Sequence, residues 1–82
     1  MEQTVREVLA EFGQLPVDPL TLDIDADLYQ CGLTSHCSIN VMLALEDAFD
    51  VEFPREMLRK KTFQSVFAIQ EALSGLVGSL VP

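Results

Sequence analysis

Apolar residues recur with a helical period in three parts of this chain, and this pattern predicts a fold built from helices. The first helix is expected over residues 4–12, and the second and clearest over 35–49, where Thr34 is a good N-cap. A last helix is expected over 62–73, with its first residue as the cap. Residues 55–60 are expected to form one short helix after a proline.

The stretch between the first two helices, residues 14–34, shows no helical period. Leu20, Leu22 and Ile24 alternate with polar residues, which is typical of a strand. The sequence offers no second strand to pair with it, and a lone strand is unstable. We therefore expect a long loop, of a length that is usually functional. The apolar side chains expected to hold it to the core are Leu15, Leu20, Leu22, Ile24 and Leu28.

One apolar stripe of the second helix is expected to face the core, with Ile39 and Phe49 near its two ends. Eighty-two residues allow one domain with a single core, so we expect one domain over residues 1–82. Two glycines near the end favour fraying, and residues 76–82 are expected to form a tail that either packs or stays loose. The full stripe is Ile39, Met42, Leu45 and Phe49, widened by Val41 and Leu43.

The chain carries thirteen acidic and five basic residues, for a net charge of −8, and four of the basic residues lie within positions 55–61. An acidic body repels phosphate backbones, which argues against nucleic acid as a partner and favours basic protein surfaces. A simpler interpretation is that the acids keep a small protein in solution. The basic cluster is interpreted either as a binding patch or, more commonly, as a solvated helix end.

Cellular location is indicated by the cysteines and by the first residues of the chain. Cys31 and Cys37 provide no disulfide framework and suggest a reducing compartment. The chain does not begin like a signal peptide, and its apolar stretches are too short to span a membrane. We expect a cytoplasmic monomer without a membrane partner.

A distinctive segment, residues 27–54, reads DLYQCGLTSHCSINVMLALEDAFDVEFP. It resembles the acyl carrier protein family, in which a short motif ends in a modified serine at the start of the second helix. The motif matches residues 32–35, and the family's closing run, similar to ALEEEFDIEIP, matches residues 44–54. Counting back from Phe49 by the family's spacing leads to Ser35 and not to Ser38.

The resemblance implies a small right-handed four-helix bundle with a long first loop, in which Ser35 carries a covalent 4′-phosphopantetheine arm. Such a protein is a carrier and not an enzyme. It holds an acyl or aminoacyl cargo as a thioester and passes it between partner enzymes. The implied partners are a phosphopantetheinyl transferase and an activating ligase. A first-turn serine also suits a phosphodiester physically, because unpaired N–H groups and the positive end of the helix dipole lie beside it.

Three positions depart from the family pattern. Thr34 replaces the usual aspartate, His36 the usual leucine, and Asn40 an acid found in many carriers. The resemblance implies that the arm-attaching transferase contacts position 36. The expected partner contacts are Thr34 and His36 together with the helix acids Glu46 and Asp47. The Gly-Leu-Thr-Ser variant resembles free-standing carriers that are loaded with amino acids by ligases similar to seryl-tRNA synthetases.

Metal binding fits these residues less well. The acids at 23–27 resemble the start of a calcium loop, but Leu28 stands where that loop needs glycine. Cys31, His36 and Cys37 lack a fourth ligand and the paired spacing of structural zinc sites. We therefore expect no metal site.

Catalysis by Ser35 with His36 as its base is also disfavoured, because adjacent residues at a helix start point about 100° apart. The alternative that the sequence leaves open is an unmodified carrier-like helical module that serves as an adaptor or subunit.

Overall fold

The computed structural model describes residues 2–78, which contain helices and turns but no strand. The all-α prediction is therefore confirmed for this part of the chain. None of the helices found there is both long enough and apolar enough to cross a membrane. The elements are α1 (Glu2–Phe12), α2 (Ser35–Phe49), a 3₁₀ segment (Arg55–Met57), a second 3₁₀ segment (Lys60–Phe63) and α3 (Val66–Gly78).

Helix α2 begins and ends where the sequence predicts. Thr34 is its N-cap, since its side-chain oxygen accepts a hydrogen bond of 3.1 Å from the N–H of Cys37. At the other end Asp50 adopts the left-handed conformation, with φ of 54°, and its N–H donates to the carbonyl of Glu46. This bond closes the last turn and redirects the chain away from the helix axis.

The predicted start of the last helix is wrong. Helix α3 begins at Val66 rather than at Thr62, because Ser65 supplies the cap and accepts a hydrogen bond of 3.0 Å from Ala68 N–H. Thr62 instead lies inside the second 3₁₀ segment. The single short helix predicted over 55–60 is likewise replaced by the two 3₁₀ segments.

The predicted end of the last helix also changes, because α3 continues past residue 73 to Gly78. Leu76 is partly buried and packs against the core, so the first part of the expected tail belongs to the helix. The rest of that tail, residues 79–82, lies outside the described residues.

A single core lies between the three α-helices and the loop that joins α1 to α2. Its centre consists of apolar side chains with no exposed surface, and each helix contributes at least two of them. Burial of this kind provides the main driving force for folding a small domain. The fully buried residues are Val5, Leu9, Leu28, Val41, Leu45, Val66, Ile69 and Leu73.

The core face of α2 differs from the predicted stripe. Cys37, Val41 and Leu45 are buried at successive four-residue steps, whereas Ile39 is 54 % exposed and Leu43 is 53 % exposed. The expectation that Ile39 faces the core is therefore wrong, and Phe49 is only partly buried. Helix α2 has apolar residues on two sides, and the packed side is the one that contains the cysteine, a small and commonly buried residue.

The first loop (residues 13–34) is held to α1 by the guanidinium of Arg6. Arg6 is buried, and its Nη1 donates to the carbonyl of Pro19 at 2.8 Å and to that of Leu22 at 2.6 Å. Its Nε donates to the carboxylate of Glu2 at 2.8 Å. Because a buried charge must be paired, these bonds fix the loop against the helix.

Apolar contacts of the first loop follow the sequence prediction with one exception. Leu28 is fully buried, and Leu15, Leu22 and Ile24 pack against the core. Leu20 is 46 % exposed, so its predicted role in holding the loop is wrong. The loop turns sharply at this point, and the neighbouring backbone is held by Arg6 instead of by the leucine side chain.

Asp27 joins the first loop to the segment that precedes α3. One carboxylate oxygen accepts N–H bonds from Tyr29 at 3.0 Å and Gln30 at 3.3 Å, and the other accepts from the Gln64 side chain at 3.2 Å. The Gln64 hydrogen bond is the main reason why the pKa of Asp27 lies below its usual value. The stabilisation is therefore complete above the usual aspartate pKa and is lost as the pH falls through the lowered value.

The core face of α2 is tested by two identical substitutions on one helix. Leu45→Ala should lower the free energy of unfolding by about 2–5 kcal/mol, because it removes a fully buried side chain. Leu43→Ala should change it by less than about 0.5 kcal/mol, because Leu43 is largely exposed. Denaturant titration measures both values, and similar losses at the two positions would contradict the assigned face.

Candidate functional site

Ser35 is the first residue of α2, and its side chain is exposed. Among residues 2–78, no group forms a hydrogen bond with its hydroxyl; the carbonyl of Ser35 is the atom that accepts one. Thr34 and His36 on either side are exposed as well. The hydroxyl is therefore accessible to an enzyme that modifies it.

Ser38, one turn later, is in a different state. It is half-buried, and its hydroxyl donates a hydrogen bond of 2.7 Å to the carbonyl of Ser35. A hydroxyl that bonds to the preceding turn of its own helix is directed along the helix surface. The two serines near the start of α2 thus differ in accessibility and in hydrogen bonding.

Backbone N–H groups at the start of α2 complete the surroundings of Ser35. The cap residue Thr34 satisfies Cys37 N–H with its side chain and Ser38 N–H with its carbonyl. Helix geometry leaves the N–H groups of Ser35 and His36 without an acceptor inside the helix. They lie at the positive end of the helix dipole, where an anionic group is stabilised.

A groove of about 420 Å³ opens beside Ser35, between α2 and residues 58–63, which include the second 3₁₀ segment. Its volume lies within the range of roughly 300–1,000 Å³ that is usual for small-molecule sites. The lining is mainly apolar and includes two cationic side chains and no acidic one. The lining residues are Tyr29, Ser35, Ser38, Ile39, Met42, Leu58, Arg59, Lys60 and Phe63.

Two residues of the basic cluster therefore lie at the same groove as Ser35. Arg59 and Lys60 are exposed, which agrees with the interpretation of the basic cluster as solvated. Both also line the groove. The Nζ atom of Lys60 lies 4.9 Å from the centre of the Tyr29 ring, within the range of a cation–π interaction. The sequence did not predict this placement, because these residues are 24 or more positions away from Ser35 along the chain.

The two acids expected to contact partners lie at the other end of α2. Glu46 lies eleven positions after Ser35, which corresponds to about 16 Å along a helix at a rise of about 1.5 Å per residue. Glu46 is half-buried, and its carboxylate accepts a hydrogen bond of 2.8 Å from Phe53 N–H. Asp47 is exposed. Glu46 therefore stabilises the turn after α2, whereas Asp47 is an exposed acid at the same end of the helix.

The cysteines and histidine near Ser35 do not form a cluster. Cys37 is buried in the core, Cys31 is half-buried, and both are free thiols. His36 is exposed. In the part of the chain that the structure describes, no group of three or more ligating side chains is arranged to hold a metal ion.

Comparison with known proteins gives one family and several close relatives. The family of proteins with a phosphopantetheine attachment site matches residues 3–68. An aminoacyl carrier protein from Agrobacterium fabrum is 48 % identical over 73 residues, which cover 89 % of this chain and 88 % of that protein.

Two solved structures are similar over most of their matched chains. One is an engineered glycine:carrier-protein ligase of Bradyrhizobium japonicum complexed with a carrier protein from Agrobacterium tumefaciens and AMP. Its matched chain is 47 % identical with a TM-score of 0.87, over 90 % of this chain and 99 % of that one. The other is the Bradyrhizobium japonicum ligase complexed with a glycylated carrier protein. There the identity is 27 % and the TM-score 0.74, over 87 % and 95 % of the two chains.

Proposed function

We infer that Ser35 carries the prosthetic arm of this protein, because the chain belongs to the family of proteins with a phosphopantetheine attachment site. The protein is a carrier with a covalent 4′-phosphopantetheine group and is not an enzyme. When attached, the arm supplies a terminal thiol that holds the cargo as a thioester. The protein itself provides the attachment point, the orientation of the arm and the surface that partners recognise.

The observation that carries the assignment of Ser35 is the contrast between two serines of α2. The hydroxyl of Ser35 is exposed and has no hydrogen-bond partner among the described residues, whereas that of Ser38 is bonded to the Ser35 carbonyl. The free N–H groups of the first turn favour a phosphodiester at Ser35. The groove beside it has room for part of a flexible chain. The residues present therefore fit the group.

The proposed cargo is an amino acid, as in the aminoacyl carriers that the Gly-Leu-Thr-Ser motif resembles. The 48 % identity to an aminoacyl carrier protein supports this assignment. Similarity to carrier chains found with a glycine:carrier-protein ligase favours a small amino acid such as glycine. The proposed partners are a phosphopantetheinyl transferase and an amino-acid-activating ligase similar to seryl-tRNA synthetases.

Partner recognition is proposed to involve both ends of α2. Thr34 and His36 flank the attachment point and are exposed, which suits contact with the transferase. Asp47 offers an exposed charge to a basic partner surface, while Glu46 contributes its charge and also fixes the turn after the helix. The proposal further includes a right-handed four-helix bundle and a monomeric state. It also includes a cytoplasmic location, because free thiols are typical of a reducing compartment.

The attachment point is tested by transfer of the arm from coenzyme A. A broad-specificity phosphopantetheinyl transferase should add one arm to the apo protein and to Ser38→Ala, and none to Ser35→Ala, as measured by intact mass. Both substitutions replace a serine in α2 by alanine, and circular dichroism checks that the variants remain folded. Addition to Ser35→Ala, or loss of addition only in Ser38→Ala, would show that the attachment point is misassigned.

The role of Asp47 is tested by the kinetics of association with a glycine:carrier-protein ligase. Asp47→Lys should lower the association rate constant by roughly 3–10-fold at low salt, and added salt should reduce the difference. Asp23→Lys is the matched control, because it makes the same change of charge at an exposed position in the first loop. Equal effects of the two substitutions would mean that only net charge matters, and no salt-dependent loss in Asp47→Lys would contradict its role.

A further inference from the structure

We propose that Arg59 and Lys60 form a cationic rim on the groove beside Ser35, which accepts the unloaded arm and excludes an amino-acid cargo. This inference rests on the proposed function, since it requires the arm on Ser35 and an amino acid as cargo. Under this proposal, the two basic residues determine whether the arm lies in the groove, when it is unloaded, or in solvent, when it is loaded.

The charge of the groove is opposite to that of the protein as a whole. The chain has a net charge of −8, yet the groove is lined by two cations and by no acidic side chain. Within residues 2–78 the only ion pair joins Arg6 and Glu2, so neither Arg59 nor Lys60 is neutralised by a contacting acid. The carboxylate of Asp27, whose pKa Lys60 helps to lower, is not among the residues that line the groove.

Apolar surface beside the rim provides a place for an uncharged chain. Ile39 is 54 % exposed, Leu58 is 49 % exposed, and both line the groove together with Met42. Ser35 lines the same groove, so a chain attached to its hydroxyl starts at the groove wall. Covering exposed apolar side chains is favourable in water, and the negative phosphodiester is attracted by the rim.

An amino-acid cargo makes binding of the arm in the groove less favourable, because it carries an ammonium group. The ammonium would have to leave water for an apolar groove and would approach two like charges at its rim. The side chains of Arg59 and Lys60 therefore favour the loaded arm in solvent, where the next enzyme reaches it. A neutral or N-acylated cargo of similar size meets no such repulsion.

The proposal is tested with three arms attached to the full protein at pH 6.5, where the cargo amine is charged. Coenzyme A analogues and a transferase supply an unloaded arm, an arm bearing glycine through an amide, and an arm bearing N-acetylglycine. Methyl NMR signals of Ile39, Met42 and Leu58 should shift from their apo positions with the unloaded and N-acetylglycyl arms. With the glycyl arm the shifts should be roughly tenfold smaller, as like-charge repulsion predicts.

The rim itself is tested by the double substitution Arg59→Gln and Lys60→Gln, which should restore the shifts for the glycyl arm. Arg55→Gln with Lys61→Gln removes the same charge from the same segment outside the groove lining and should not restore them. Equal shifts for glycyl and N-acetylglycyl arms, no shift with the unloaded arm, or an unchanged difference in the rim variant would each overturn the proposal.

Failure of the proposed function gives a different result from failure of the groove proposal. Intact mass measured before the spectra shows whether the arm is present on the protein. Unshifted methyl signals in a protein of the correct mass overturn only the groove proposal. A protein that gains no mass, or that gains it in Ser35→Ala, overturns the attachment point and the groove proposal together.

Discussion

The burial of the Arg6 guanidinium against two loop carbonyls is the interaction on which the geometry of this protein depends. It converts an aperiodic stretch of more than twenty residues into a fixed connection between α1 and α2. Asp27 then joins the loop to the segment before α3, and Leu28 and Leu33 enter the core. Ordering a loop of this length opposes folding through lost conformational entropy, and these paired polar groups and buried leucines offset that loss.

Because the loop is fixed, α2 starts at a defined place and serves two purposes. Cys37, Val41 and Leu45 hold its inner side in the core, while Ser35 and Ile39 are exposed on its outer side. A carrier needs this division, since its attachment point must remain rigid in position while the arm itself moves between partners. Of the apolar residues left exposed, Ile39 and Leu58 line the groove beside Ser35.

Local signals predicted the fold best. The bounds of α2 and its cap at Thr34 were predicted correctly because each end of this helix is marked by residues next to it in the sequence. Ile39 was misassigned because α2 is apolar on two sides, and only tertiary packing, chiefly against α1, decides which side is buried. The role of Arg6 and the groove were not predictable, since Arg6 and Pro19 are 13 positions apart and the groove residues Tyr29 and Phe63 are 34 apart. The start of α3 was missed because Ser65 competes with Thr62 as the cap.

The central claim, that Ser35 holds the arm and its amino-acid cargo, is tested most directly on the protein isolated from its native host. Intact mass spectrometry followed by fragmentation between positions 35 and 38 identifies the modified serine, and hydroxylamine treatment releases a thioester-bound cargo. The account predicts a phosphopantetheine group on Ser35 and an amino acid among the released products. An unmodified Ser35, an arm on Ser38, or a cargo composed only of fatty acids would contradict it.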